Sequence, residues 1–256
     1  VCKLFLKSSI FLHKTLEKLS DNTNKVCLYP KKHDAFKIYK IPKSYQSIYY
    51  LFKTFILGSK KILNKLFGRT LKWNVCYQFT DNWKTSSIKN STIIKNPKNR
   101  FLADPFSINY NNRTVVYVED YDYNVNKGKI SAYEITLEGH KEIGVAIDEK
   151  FHLSYPFLIE TNEGLFMVPE SHQSKDIRIY KCIEFPLKWK LHKILMENIS
   201  AVDTNIFKFN NKYWLFTSLD SSKLGEHSSE LHIFYADSFD STSWKPHSLN
   251  PVIFDA

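Results

Sequence analysis

Three stretches of this 256-residue chain open in the same way, about one period apart. The first is Phe101–Phe106 (FLADPF), and its echoes begin at Tyr155-Pro156-Phe157 and at Asp203 in Asp203–Phe207 (DTNIF). A fourth opening is expected at Phe254-Asp255-Ala256. The successive intervals, Asp104 to Tyr155, Tyr155 to Asp203 and Asp203 to Asp255, are 51, 48 and 52 positions. A period of this length marks repeated supersecondary units of propeller-blade size. Each repeat holds four short apolar runs bounded by turn residues, the pattern of strands. In the first these are Asp104–Ile108, Thr114–Glu119, Lys129–Ile135 and Glu142–Ile147; in the second, Pro156–Glu160, Leu165–Pro169, Asp176–Ile183 and Lys190–Met196. The third gives Thr204–Phe209, Tyr213–Ser218, Glu230–Ala236 and Trp244–Leu249. Thr161–Gly164 and Asn210-Asn211 have hairpin chemistry, and Asn109–Asn112 joins the first pair. The predicted fold is mainly β, with blades near 104–150, 155–200 and 203–250. Closed propellers have ~4–8 blades, so three repeats are read as part of a larger ring. A start without Met and a repeat opening at the far end agree with a fragment that lacks its C-terminal blades.

Charge divides the chain before any motif does. Residues 1–100 hold 21 Lys/Arg and 4 Asp/Glu, whereas residues 101–256 hold 15 and 22. The boundary is drawn at residues 1–70 for a basic helical region and 73–256 for the propeller. Helices are predicted over 2–20 and 44–67, where apolar residues recur at helical spacing among lysines. Such a basic amphipathic helix packs on its own domain or lies in peripheral contact with a membrane. Nucleic acid is not the expected partner, because Lys/Asn-rich solvated helices account for the basic balance. Alternation starts at Trp73–Phe79, and 82–100 reads as a polar loop. Cys2, Cys27, Cys76 and Cys182 form no C-x-x-C pair, so free thiols and a cytoplasmic, possible membrane-associated location are expected. No Gly-rich phosphate loop and no His ligand spacing are present, so neither cofactor nor metal is expected.

Propeller geometry gathers particular side chains at one channel mouth. First strands begin there, and second strands run back and end there. That places Asp104, Tyr155 and Asp203 beside Glu119, Asp120, Glu170, Ser171, Ser218 and Asp220, with His152 and Ser154 from the connection between blades. Crowded carboxylates raise one another's pKa values unequally. Glycosyl chemistry needs that split, with one protonated acid and one ionised base or nucleophile. Asp104, Asp203 and Glu170 are the catalytic candidates; Glu119, Asp120, His152, Tyr155 and Ser171 are the substrate-binding candidates. Tyr121, Tyr123, Trp189, Trp214 and Trp244 are candidates for stacking on sugar rings, although the positions of Trp189 and Trp244 suit packing at blade edges.

Six motifs in order carry a family resemblance: FLADPF (101–106), YVEDY (117–121) with GKI (128–130), FHLSYPF (151–157), MVPES (167–171), VDT (202–204) and NPVIFDA (250–256). Together they resemble the N-terminal domain of the glucosamine inositolphosphorylceramide transferase family. Bacterial relatives carry this domain behind a formyltransferase-like region, whose tail residues 1–70 would be. The resemblance implies a five-bladed propeller of the arabinanase, levansucrase and invertase type. It implies a base or nucleophile at Asp104, a pKa-tuning Asp at Asp203 and an acid in a fourth blade beyond Ala256. Glu170, in blade two, does not take that place. In plant-type members the resemblance puts sugar transfer in a separate C-terminal domain. The function expected is glycosyl transfer or hydrolysis on a glycan or nucleotide-sugar substrate, in surface glycan or glycolipid metabolism. The alternative is a non-catalytic glycan-binding or scaffold propeller.

Overall fold

The computed structural model describes residues 42–66, 73–219 and 230–254, together with Leu16 and Ser20. Apart from Leu16 and Ser20, the predicted helix over 2–20 lies outside the described residues, as do Cys2, Cys27, Asp220 and Asp255. The chain divides into two compact units, with a boundary between Lys72 and Trp73. The described part of the first is one helix, α1 (Ser44–Leu66), which opens with Lys43 N–H donating to Gln46 Oε1 at 2.9 Å.

The second unit is a β-propeller portion of three blades, each a meander of antiparallel strands. Blade one is β3 (Arg100–Tyr110), β4 (Arg113–Asp122), β5 (Lys127–Thr136) and β6 (Gly139–Ile147). Blade two is β7 (Ser154–Thr161), β8 (Gly164–Glu170), β9 (Asp176–Glu184) and β10 (Lys188–Glu197). Blade three is β11 (Ala201–Phe209), β12 (Lys212–Leu219) and β13 (Glu230–Ala236), with two short strands paired to β13. Ahead of them, β1 (Val75–Tyr77) pairs with β2 (Thr92–Ile94). The first strands are neighbours, with β7 touching both β3 and β11.

The second strands explain why the blades stack. A strand sends alternate side chains to opposite faces, and here each face meets a different blade. From β4, Val115 and Tyr117 join Leu153, Met167 and Tyr180 in a core shared with blade two. Val116 and Val118 face the other way, into a core with Val75 and Ile94. From β8, Phe166 and Val168 pack with Ile206, Leu215 and Phe234 of blade three. A strand buried on both faces reads as an unbroken apolar run rather than an alternation, as VVYV and LFMV do.

Hairpin turns fix the register. Asn111 and Asn112 both have positive φ (51° and 58°), as do Asn210 and Asn211 (47° and 60°). That is the two-residue type I′ geometry, for which Asn is well suited among non-Gly residues. The structure corrects two sequence expectations. The stretch 82–100 is not a plain loop: Thr92–Ile94 is strand β2, and Ile94 is buried beneath blade one. The fourth strand of blade three is not Trp244–Leu249. It shrinks to β14 (Lys245–Pro246), and β15 (Ile253–Phe254) pairs with Glu230 and Leu231. Pro246 and Pro251 donate no ladder hydrogen bond, and Trp244 instead fills the core with Phe239. Trp189 packs likewise, edge-on to Tyr117 at 5.5 Å.

Candidate functional site

Each first strand is bent by one bulge at the same point. The pairing slips between Ala103 and Phe106, between Ser154 and Phe157, and between Val202 and Asn205. Asp104, Tyr155 and Asp203 occupy those slips in left-handed conformation, with φ of 47°, 44° and 55°. A bulge redirects a side chain at the end of a ladder, and Pro105 and Pro156 follow where no ladder donor is needed. Asp adopts this region at modest cost, whereas a residue as bulky as Tyr is an outlier there. Tyr155 is held by its neighbours. Its ring meets Phe106 edge-on at 4.8 Å, and its hydroxyl donates to Asn205 Oδ1 at 3.2 Å. Its backbone N–H donates to the Asp104 carboxylate, tying blade two to blade one.

Four carboxyl groups, Asp104, Glu119, Glu170 and Asp203, feel one another's charge. Burial pushes Glu119 up to about 8, with Asp104 and Glu170 adding repulsion. Burial also raises Asp203 to about 6, again with help from Glu170 and Asp104. Asp104 is raised by burial and by Glu170, against the Tyr155 amide. Two histidines complete the group. Gly128 N–H donates to His152 Nδ1 at 2.8 Å. The neutral ring therefore carries its proton on Nε2, which faces Glu119 Oε1 at 3.4 Å. Burial lowers the His152 pKa and so favours this neutral form. His172 Nδ1 lies 2.8 Å from Glu170 Oε1, and that hydrogen bond raises the His172 pKa.

These shifts set the sign of a pH dependence. A carboxyl group whose folded pKa exceeds its unfolded value stabilises most below the unfolded value. The contribution is lost as pH rises through the folded value. For Glu119 the window runs from 4.5 to about 8, and for Asp203 from 3.8 to about 6. Urea unfolding of the full chain is expected to show stability falling from pH 5 to pH 8. Glu119→Gln is expected to flatten the upper part of that fall.

Not every sequence candidate joins the group. Glu119 and Asp120 are adjacent on β4 and project from opposite faces. Asp120 is fully buried, accepting from Arg100 Nη1 at 2.6 Å and Ser131 Oγ at 2.7 Å. Its carboxylate is engaged within blade one. Ser171 is also committed elsewhere: its buried Oγ donates to the Asp176 carbonyl at 2.9 Å, in the turn between β8 and β9. Ser154 is buried in register with Glu170. Trp214 pairs with Phe207 toward the hairpin end of blade three, far along β11 from Asp203.

Sequence reasoning passed over His172 and Gly128. The signal for His172 was its place two residues after Glu170, just past a strand end. For Gly128 it was tight packing: a Cβ there would sit 2.5 Å from the Leu153 carbonyl oxygen and 2.7 Å from His152 Cε1. Gly128→Ala is expected to displace His152 and to cost about 1–3 kcal/mol. A thermal melt and the loss of the His152 proton signal near neutral pH would check this.

A cleft of about 440 Å³ opens beside Asp104 and Glu119, walled by Trp73, Val75, Phe101, Ala103 and Pro105. Phe101 stacks on Tyr121 at 5.0 Å, and Tyr121 meets Tyr123 and His152 at 5.5 and 5.8 Å. The site thus sets an aromatic wall beside a carboxyl that burial pushes up to about 8.

The family described as "Glucosamine inositolphosphorylceramide transferase 1, N-terminal" matches residues 82–255. Glucosamine inositolphosphorylceramide transferase 1 of Arabidopsis thaliana is 32% identical over 169 residues, 65% of this chain and 21% of that protein. The protein of the same name from Oryza sativa subsp. japonica is 32% identical over 155 residues, 59% of this chain and 20% of that one. The chain therefore spans about a fifth of the length of the curated relatives it matches. Among solved structures, a GH43 β-1,3-galactosidase superposes with a TM-score of 0.50 at 12% identity, covering 61% of this chain and 35% of that one. At that identity the likeness concerns the fold.

Proposed function

Because the chain belongs to the glucosamine inositolphosphorylceramide transferase 1 N-terminal family, we propose that it is a carbohydrate-active propeller acting by glycosyl transfer or hydrolysis at the mouth. The observation that carries this reading is the unequal ionisation of clustered carboxyl groups, with Glu119 pushed to about 8 and Asp203 to about 6. Glycosidic chemistry needs one group able to give a proton to the leaving oxygen and another able to act as base or nucleophile. In this reading Glu119 gives the proton at neutral pH. The family resemblance reserves that part for a Glu beyond Ala256. Asp104 is the base or nucleophile, and Asp203 tunes it across the channel. Glu170, held by His172, orients the sugar hydroxyls, and Phe101 offers an apolar face to a sugar ring.

The test is turnover by the full chain on a panel of nucleotide sugars, glycans and glycolipids. The names of the relatives put a glucosaminyl donor and an inositolphosphorylceramide acceptor first on that panel. Product detected by mass spectrometry is the expected result. Saturable sugar binding with no product on any donor or acceptor would replace this reading with that of a non-catalytic glycan-binding propeller.

A further inference from the structure

Helix α1 belongs to the first compact unit, and its surface calls for a partner of its own. Along Ser44–Leu66 the large side chains stand in solvent: Phe55 is 72% exposed, Ile48 67%, Leu51 65% and Phe52 62%. With Ile56 they recur at three- and four-residue intervals, and Ile62 falls on the same side two turns beyond Phe55, which on a helix makes one apolar stripe interrupted at Ser59. Lys53 and Lys60 flank this stripe on one side and Lys61 on the other, from their positions around the helix. Long lysine stems lie along apolar surface while their ammonium groups reach outward. The helix itself contains no Asp or Glu. Between Asp34 and Trp73 the chain carries nine Lys or Arg residues and no acidic one.

We propose that α1 lies in the plane of an anionic lipid surface, with Ile48, Leu51, Phe52, Phe55, Ile56 and Ile62 in the acyl boundary and the lysines at the phosphate level. The charge decides among occupants. A second copy of this helix would bring lysines against lysines, at a repulsive cost with no acid to relieve it. A neutral bilayer would use the apolar stripe and leave the basic flanks without partners. An anionic surface satisfies both, because each basic side chain near it contributes about 1 kcal/mol. No described helix is long and apolar enough to cross a membrane, and an in-plane helix has no need to be. The contact recruits the protein to a surface. It makes no claim on the chemistry at the propeller mouth, so it stands or falls separately.

The experiment is cosedimentation of the full chain with extruded vesicles. One set is phosphatidylcholine alone; in the other a third of the lipid is phosphatidylglycerol. Binding is expected to be about 100-fold tighter on the anionic set, the effect of the three flanking lysines. It should weaken as salt shortens the Debye length. A Phe52→Glu, Phe55→Glu double variant, altered only at exposed positions, should lose the vesicles while keeping the wild-type melting temperature. Equal binding to both vesicle sets would overturn the proposal, as would unchanged binding by the double variant. So would a self-associated species, seen by sedimentation, that vesicles do not dissociate and the double variant abolishes.

Discussion

Asp104→Asn is expected to lower turnover by about 10²–10⁴-fold, the range typical for loss of a general acid or base, with little change in melting temperature. Asp104 sits at φ 47° in the bulge of β3, and Asn is among the few side chains that visit this region routinely. The isosteric amide can still accept the Tyr155 N–H that links blade two to blade one. The charge is what disappears. Asp104→Ala would mix two effects, since Ala in a left-handed position costs about 1–2 kcal/mol. Asp203→Asn, at φ 55° in blade three, should behave in the same way with a smaller loss, as befits a tuning residue. Glu160→Gln supplies the control: that carboxylate is exposed on β7, in register with Leu165. A large loss for Asp104→Asn with none for Glu160→Gln would separate the mouth from the general acidity of the propeller.

Asp120→Ala should do the opposite, unfolding the protein readily while leaving the mouth carboxyl groups in place. Removing one partner of a buried ion pair costs about 3–5 kcal/mol. Asp120 is wholly buried against Arg100, whose side chain is itself only 20% exposed. Ser131 would lose its acceptor as well. A domain of this size loses about 2–4 °C in Tm per kcal/mol, so a fall of roughly 10 °C is expected by calorimetry. Its neighbour provides the contrast. Glu119→Gln removes a carboxyl that is costly to ionise, so stability above pH 8 should hold or rise while turnover falls. Two adjacent acidic residues would then affect different properties, one stability and the other activity.

That pair also shows where the sequence stops being informative. The repeat was legible because each blade reuses a similar opening and the same apolar second strand, and blades one and three share Asn-Asn turns. The strand parity at Glu119 and Asp120 was not. A strand buried on both faces has no polar side to set the phase, so either acid could have faced the channel. The bulges add a one-residue slip that alternation cannot foresee, and Asp104, Tyr155 and Asp203 sit in those slips. Ser171 looked like a mouth residue because it follows Glu170, but the turn into β9 uses its hydroxyl for Asp176. β2 was hidden because a three-residue strand inside a polar stretch is too short to show a period. Trp244–Leu249 looked like a fourth strand from its bounding residues, while Pro246 and the burial of Trp244 left only a two-residue pairing. The role of Gly128 became visible only once His152 was placed against it.

The account rests on one claim above the others, that the mouth carboxyl groups ionise as a coupled set rather than as separate surface acids. A titration followed by ¹³C NMR on glutamate-labelled protein tests it without knowledge of the substrate. Glu119 should titrate near 8 in the wild type, and its midpoint should drop when Asp104→Asn removes the strongest repelling charge. A Glu119 midpoint close to the ordinary value of 4.5, unmoved by Asp104→Asn, would contradict the claim and with it the proposed chemistry.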